Sequence, residues 1–453
     1  MKPTLTFEKM AILCGEAGSA SSLPDLGGMK ILQNQLTFHL GEAEEIYEGY
    51  GTLPSAYPYR QYNTYSRTLK STDVHTAVLE NDYVFLPDFG GRLWSLTDKS
   101  TGKNLLYTND VIRFSNLSTR NAWFSGGVEW NMGIIGHSPL SNDPLFTASG
   151  TTDSGVPFLR MYEYERIREA EYQMDFWLEE KSRFLNCRMR IVNHTDQVIP
   201  MYWWSNMAVP EYPSGQIIVP AATAYTCKNW EVYKVNVPEV DGNNIFHYES
   251  IPDQIDYFFD IPYECPKYIA NVNKDGYGLL QTSTRRLRAR KLFSWGHNEG
   301  SDRWQHFLTE DAGPYIEIQA GLGKTQYGCL PMAPHTAWEW LEQYGPVHLP
   351  QTTSSQDNCQ YIEQHVSNEE LERLLQTSAS FAHQKVAVVS SGSTHGAMRN
   401  LEATVSPKKK ALSDHLDFGG CPENEWTHLL TKGSFVTADP DQIPGDFQVA
   451  AFY

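Results

Sequence analysis

The sequence predicts a mainly β protein: one large antiparallel β-sandwich followed by a small mixed α/β C-terminal region. Three observations predict it. From about residue 29 to residue 350, short runs rich in Val, Ile, Tyr, Phe and Trp alternate with turns marked by Gly, Asn, Asp and Pro, the pattern of strands and turns. Helical periodicity is nearly absent there, and the stretch far exceeds an immunoglobulin-sized sandwich of about 100 residues. Near Gln356 the character changes, and capped helical periodicity begins.

The elements follow in order. Residues 1–28 read as a lead-in of small residues ending at Gly27-Gly28. Within the sandwich, 29–350, Thr76–Glu80, the turn Asn81-Asp82 and Tyr83–Pro87 read as a hairpin, and Phe184–Val192 as a strand closed by the turn Asn193–Asp196. In 351–453, Ser367 or Asn368 caps a helix with Glu369 and Glu370 in its first turn and Leu371, Leu374 and Leu375 at helical spacing. A Ser/Gly stretch (Val388–Gly396), a basic patch (Lys408–Lys410) and a tail through Phe447–Tyr453 complete it. The chain carries no tandem repeat.

Composition narrows the function classes. The 453 residues carry a formal net charge of −18, which argues against a nucleic-acid partner, because neutralising phosphates takes a concentrated basic surface. The one basic cluster, Arg285–Lys291, is short, interrupted by apolar residues, and expected to pair with acidic neighbours. Aromatics make up 13% of the chain, which suits both a β core and a cleft whose rings stack on sugars. Seven scattered cysteines without a C-x-x-C fit a reducing compartment. No apolar stretch reads as a signal peptide or a membrane span. The expectation is a soluble cytoplasmic protein with no membrane partner, and homo-oligomerisation is compatible with it. His-x-His, His-Glu-x-x-His, calcium loops, Walker spacing and G-x-S-x-G are all missing, so no metal and no cofactor are expected.

One strand carries the chemistry. In Tyr315-Ile316-Glu317-Ile318-Gln319, Glu317 and Gln319 share one face and the isoleucines the other. The isoleucines want a core, so Glu317 faces a second surface. A carboxylate on a strand in aromatic surroundings is a candidate catalytic base, and a harmless edge-strand Glu is the alternative.

Three stretches, in order, resemble the galactose mutarotase-like superfamily: Leu86–Lys99 with Gly90-Gly91-Arg92, then Gly102–Leu106; Gly126-Gly127-Val128-Glu129-Trp130-Asn131 with Gly136-His137-Ser138-Pro139; and the Glu317-x-Gln319 strand. The resemblance covers about residues 30–350 and implies a large sandwich with Glu317 as base. More closely, the chain resembles an uncharacterised bacterial domain found ahead of tetratricopeptide repeats, which supplies no activity. One departure stands out. The superfamily's acid is a His, and the matching position within Met201–Ala208 carries Asn206, which cannot hold a proton. Mutarotation needs an acid and a base across the anomeric centre.

Glu129 is the substitute acid that the sequence offers. Two glycines precede it, and desolvation by Trp130 is expected to raise its pKa toward that of a general acid. A Glu129/Glu317 pair flanking a sugar is the chemistry of glycoside hydrolysis; a turn-stabilising role is the alternative for Glu129. Candidate substrate-binding residues are Arg92, Trp130, Asn131, His137, Trp204, Asn206, Gln319 and Gln326. Trp295, His297, Asp302 and Arg303 join them from Ser294–Gln305, which reads as a cleft loop. The favoured expectation is a carbohydrate-active enzyme, a glycoside hydrolase using the Glu pair. An aldose epimerase with a replaced acid and a non-catalytic carbohydrate-binding module are the alternatives, because folds of this kind host all three.

Overall fold

The computed structural model describes residues 2–16, 36–40, 46, 47, 49–51, 68–80, 82–113, 123–350, 354–421, 423, 425–434, 436 and 439. The C-terminal tail Phe447–Tyr453 lies outside the described residues. Among them, a 14-stranded sheet and a 9-stranded sheet dominate. The two stack face to face over one apolar core, as the strand pattern predicts. Aromatic contacts run from sheet to sheet: Phe85 against Phe176 at 4.7 Å between ring centroids, Trp130 against Phe176 at 5.1 Å, and Trp203 against Trp340 at 5.0 Å.

The predicted hairpin is present as Leu69–Leu79 and Tyr83–Leu86, and the second predicted strand as Leu185–Asn193. The described part of the lead-in is itself a strand, Leu5–Gly15, paired along its length with Leu69–Leu79. Six antiparallel neighbours of the larger sheet concern the site. In spatial order they are Ile255–Phe259, Ala289–Ser294, Tyr315–Gly321, Trp203–Pro210, Val128–Met132 and Arg92–Asp98.

The C-terminal region is mixed α/β and closes the outer face of the smaller sheet. The helix Asn368–Ala382 is capped by Ser367, whose hydroxyl accepts from the Glu370 N–H at 3.1 Å. It lays Leu371, Leu374 and Phe381 on Phe158, Trp177 and Leu341. The strand Ala387–Ser390 extends that sheet. Leu374→Ala is expected to cost about 2–4 kcal/mol, the cost of a buried cavity. A denaturant midpoint unchanged from the parent would mean that the helix contributes nothing to the sandwich.

Candidate active site

Strand register builds the site. Arg92, Glu129, Asn206, Gln319 and Lys291 fall in one row across five strands. Asn206 lies opposite both Glu129 and Gln319, Gln319 opposite Lys291, and Arg92 follows from the Leu93–Val128 pairing. Ala208, Glu317, Phe293 and Asp256 form the next row. The period of two sends these side chains to the face away from the sandwich core. Between the rows, Val128, Met207, Ile318 and Leu292 enter that core, as expected for the isoleucines flanking Glu317.

A cleft of about 360 Å³ opens on this face. Glu317, Gln319, Asn206 and Asn131 line it from the sheet, and His137, Gln326 and Trp295 from loops. Glu317 is buried, and its Oε2 accepts from Gln319 Nε2 at 2.9 Å. Burial pushes its pKa above the ordinary carboxylate value, against the pull of Lys291 and His137. A relay of hydrogen bonds runs back from it: Gln326 Nε2 donates to Gln319 Oε1 at 2.8 Å, Lys291 Nζ to Gln326 Oε1 at 2.6 Å, and Lys291 pairs with Asp256 at 2.7 Å.

Glu129 takes a different part from the one expected. It is fully buried beneath the cleft and does not line it. Its Oε2 accepts from Arg92 Nη2 at 2.9 Å. Its Oε1 accepts from His137 Nδ1 at 2.6 Å, Asn206 Nδ2 at 3.0 Å, Asn131 Nδ2 at 3.2 Å and Trp123 Nε1 at 3.3 Å. Burial alone would raise its pKa, but the His137 and Arg92 charges and these donors hold it well below the usual range. An ionised carboxylate so surrounded cannot give a proton, so the expectation that Trp130 would keep Glu129 protonated is overturned. The glycines before it serve close backbone packing. A Cβ on Gly127, at φ +70°, would meet the Leu93 carbonyl at 2.4 Å.

With Glu129 ionised, His137 Nδ1 must carry the hydrogen. That fixes the tautomer and turns Nε2 toward use elsewhere on a side chain that lines the cleft. Asn131 holds the loop, accepting from the Ser138 N–H at 2.7 Å. His137, brought in by a loop, is thus an imidazole in the same cleft as Asn206. Asn206 Oδ1 is buried without a hydrogen-bond partner among the described residues, an acceptor open to a bound group.

The remaining candidates divide. Trp295, Gln319, Gln326, Asn131 and Asn206 line the cleft. Arg92 is buried and does not line the cleft; it donates to Glu129, its other bonds going to the Phe124 and Gly126 carbonyls. Trp130 faces the core. Trp204 packs edge-on to Phe258, centroids 5.6 Å apart, and supports the sheet. The expected cleft loop contains the helix Glu299–Leu308, N-capped by Asn298. On it Asp302 and Arg303 point elsewhere, Arg303 pairing with Glu299, while His297 pairs with Glu211 at 3.1 Å. None of these three lines the cleft. The helix contributes Trp304 at the rim, 43% exposed. Sequence reasoning missed Lys291 and Asp256. Lys291 was hidden in the basic cluster, although its alternation with Leu292 is a strand signal.

The family described as a domain of unknown function (DUF5107) matches residues 52–337. The chain belongs to this family. The match spans all the cleft residues named above, and the C-terminal helices lie beyond it. A tetratricopeptide-repeat-domain-containing protein from Parabacteroides distasonis is 23% identical, with a TM-score of 0.63 over 78% of this chain and 56% of that one. This chain thus spans little more than half that protein's length, and the two share a fold. Galactose mutarotase-like proteins from Clostridium acetobutylicum (10% identical, 61% of this chain, 96% of that one, TM-score 0.43) and Lactobacillus casei (10%, 58%, 96%, 0.40) also align. In its DUF5107 domain the chain accordingly matches the uncharacterised domain that the sequence resembles.

Proposed function

We propose that this DUF5107 domain is a sugar-acting acid–base enzyme of the aldose epimerase type, interconverting the anomers of a free reducing sugar. The observation that carries the reading is one cleft lined by a buried carboxyl of raised pKa, Glu317, and by an imidazole of fixed tautomer, His137. Glu317 takes the proton of the anomeric hydroxyl. His137 Nε2 gives a proton to the ring oxygen, so that the C1–O5 bond breaks and the open aldehyde forms. Rotation about C1–C2 and the reverse transfers close the ring as the other anomer, and both groups return to their starting states. Glu129 stabilises the imidazolium before transfer and fixes the ring, as a carboxylate behind a catalytic histidine does. Gln319, Gln326 and Asn206 supply hydroxyl contacts, and Trp304 at the rim offers a face for the apolar side of a pyranose.

The hydrolase expectation fares less well on the same geometry. It needs a second carboxyl that can give a proton. Glu129 is ionised and Asp256 is paired with Lys291. Polarimetry of freshly dissolved α-anomers of a panel of aldoses tests the proposal. Mutarotation faster than buffer for at least one aldose is expected. Cleavage of an aryl glycoside with no acceleration of any aldose would overturn it.

Lys291→Met should move the acid limb of kcat/KM to higher pH. Glu317 must be ionised to act, and Lys291 is the foremost charge opposing its raised pKa. An acid limb unmoved in that variant would exclude Glu317 as the titrating base.

A further inference from the structure

We propose that the chain has a second ligand site, separate from the cleft, that binds a small phosphate-bearing molecule in the cavity walled by Arg285, Arg286, Arg288, Lys267 and Lys324. This cavity, of about 670 Å³, is larger than the cleft. Its lining holds five cations and, among the described residues, one carboxylate, Asp260. Such a concentration is out of keeping with a chain of net charge −18.

The expectation that the basic cluster pairs with acids holds for Lys291 and, among the described residues, does not hold for Arg285 and Arg286. Arg285 and Arg286 are exposed at a turn and make no ion pair among the described residues. Each guanidinium lies over an aromatic ring instead: Arg285 over Tyr263 at 5.3 Å and Arg286 over Trp338 at 5.8 Å. A cation–π contact holds each guanidinium near its ring and consumes none of its N–H donors. Arg290, behind them, spends its donors on the Leu287, Ala289 and Lys267 carbonyls and Ser283. It adds buried positive charge, offset in part by the Glu342 carboxyl.

Lys267 registers the resulting field. Its Nζ is satisfied by the Ile261 and Pro262 carbonyls, and burial, then Arg290, Arg285 and Arg288, push its pKa down to about 8. Asp260 answers only part of the charge: it pairs with Lys234 at 2.9 Å and, of the lining cations, with Lys324 at 3.9 Å. Planar guanidinium forks lining one open cavity suit the tetrahedral oxygens of a phosphate ester or diphosphate. The cavity is bounded by the turn and by a loop that reaches both sites: Lys324 enters this cavity and Gln326 the cleft.

Calorimetric titration of the full chain with inorganic pyrophosphate, at low salt, tests the proposal. The parent is expected to bind in the sub-millimolar range. Arg285→Ala/Arg286→Ala should bind about tenfold or more weakly, with an unchanged circular dichroism spectrum, since both residues are exposed. His137→Gln should bind as the parent does, which separates this site from the acid–base reading. Asp260→Asn, removing a competing anion, should tighten binding. No heat at several millimolar pyrophosphate, equal binding by the double variant, or saturable binding of polyglutamate that pyrophosphate does not displace would each overturn it, the last in favour of an acidic protein partner.

Discussion

Glu317→Gln is expected to lower kcat by roughly two to four orders of magnitude, the usual contribution of a general base, and to raise the melting temperature at neutral pH. The two effects share one cause. Glu317 is buried, and its folded-state pKa lies above that of the unfolded chain. Between those two values the folded state binds more protons, so stability falls as pH rises through that window. The loss is complete only above the folded-state value, where the buried group is ionised. Gln removes the charge and keeps an oxygen for the Gln319 amide. Thermal melts from pH 4 to pH 8 check this. The variant's advantage should be present at pH 8 and shrink as pH falls toward the unfolded carboxylate value. A variant that loses stability at every pH would mark Glu317 as a structural residue.

Glu129→Ala should have the opposite effect on stability and a comparable effect on rate. It leaves Arg92, 2% exposed, buried without its partner. Breaking a buried pair from one side costs about 3–5 kcal/mol, and four further donors lose their acceptor. The pH dependence is reversed as well. Glu129 has its folded pKa depressed, so its contribution is fully present above the unfolded value near 4.5 and is lost as pH falls toward the folded one. Chemical denaturation at pH 7 and pH 4 measures both parts. Glu129→Gln, which keeps the shape, should recover part of the stability and little of the rate, because a neutral amide cannot stabilise His137 as an imidazolium. Parental activity in Glu129→Gln would remove the carboxylate–histidine unit from the account.

Local signals explain what was legible in the sequence. The Tyr315–Gln319 strand was readable because alternation of period two needs only neighbours, and both its faces lie as that alternation demands. The helix after Ser367 was readable because its cap and first-turn acids lie within four residues. The helix after Asn298 carried the same signal, an Asn cap with Glu299 and Asp302 behind it. The density of Trp and polar residues drew the reading to a loop instead. The role of Glu129 was not legible, because alternation assigns a face and not a partner. Arg92 reaches it from 37 residues away and Asn206 from 77. With those partners unseen, Trp130 next door looked like the dominant influence, yet its indole turns to the opposite face. His137 was marked as a ligand-binding residue, but only the fold brings its Nδ1 to Glu129. The link from Asp256 through Lys291 to Gln326 likewise depends on register among strands far apart in sequence.

In the proposed reaction Glu317 and His137 act together across one cleft. The most direct test is magnetisation exchange between the α and β anomers of a responsive aldose, measured by NMR at pH 7 with the parent, Glu317→Gln and His137→Gln. Exchange above the buffer rate is expected with the parent, and none above it with either variant while both remain folded. Exchange at the parental rate in either variant, or no exchange by the parent with any aldose, would contradict that reaction.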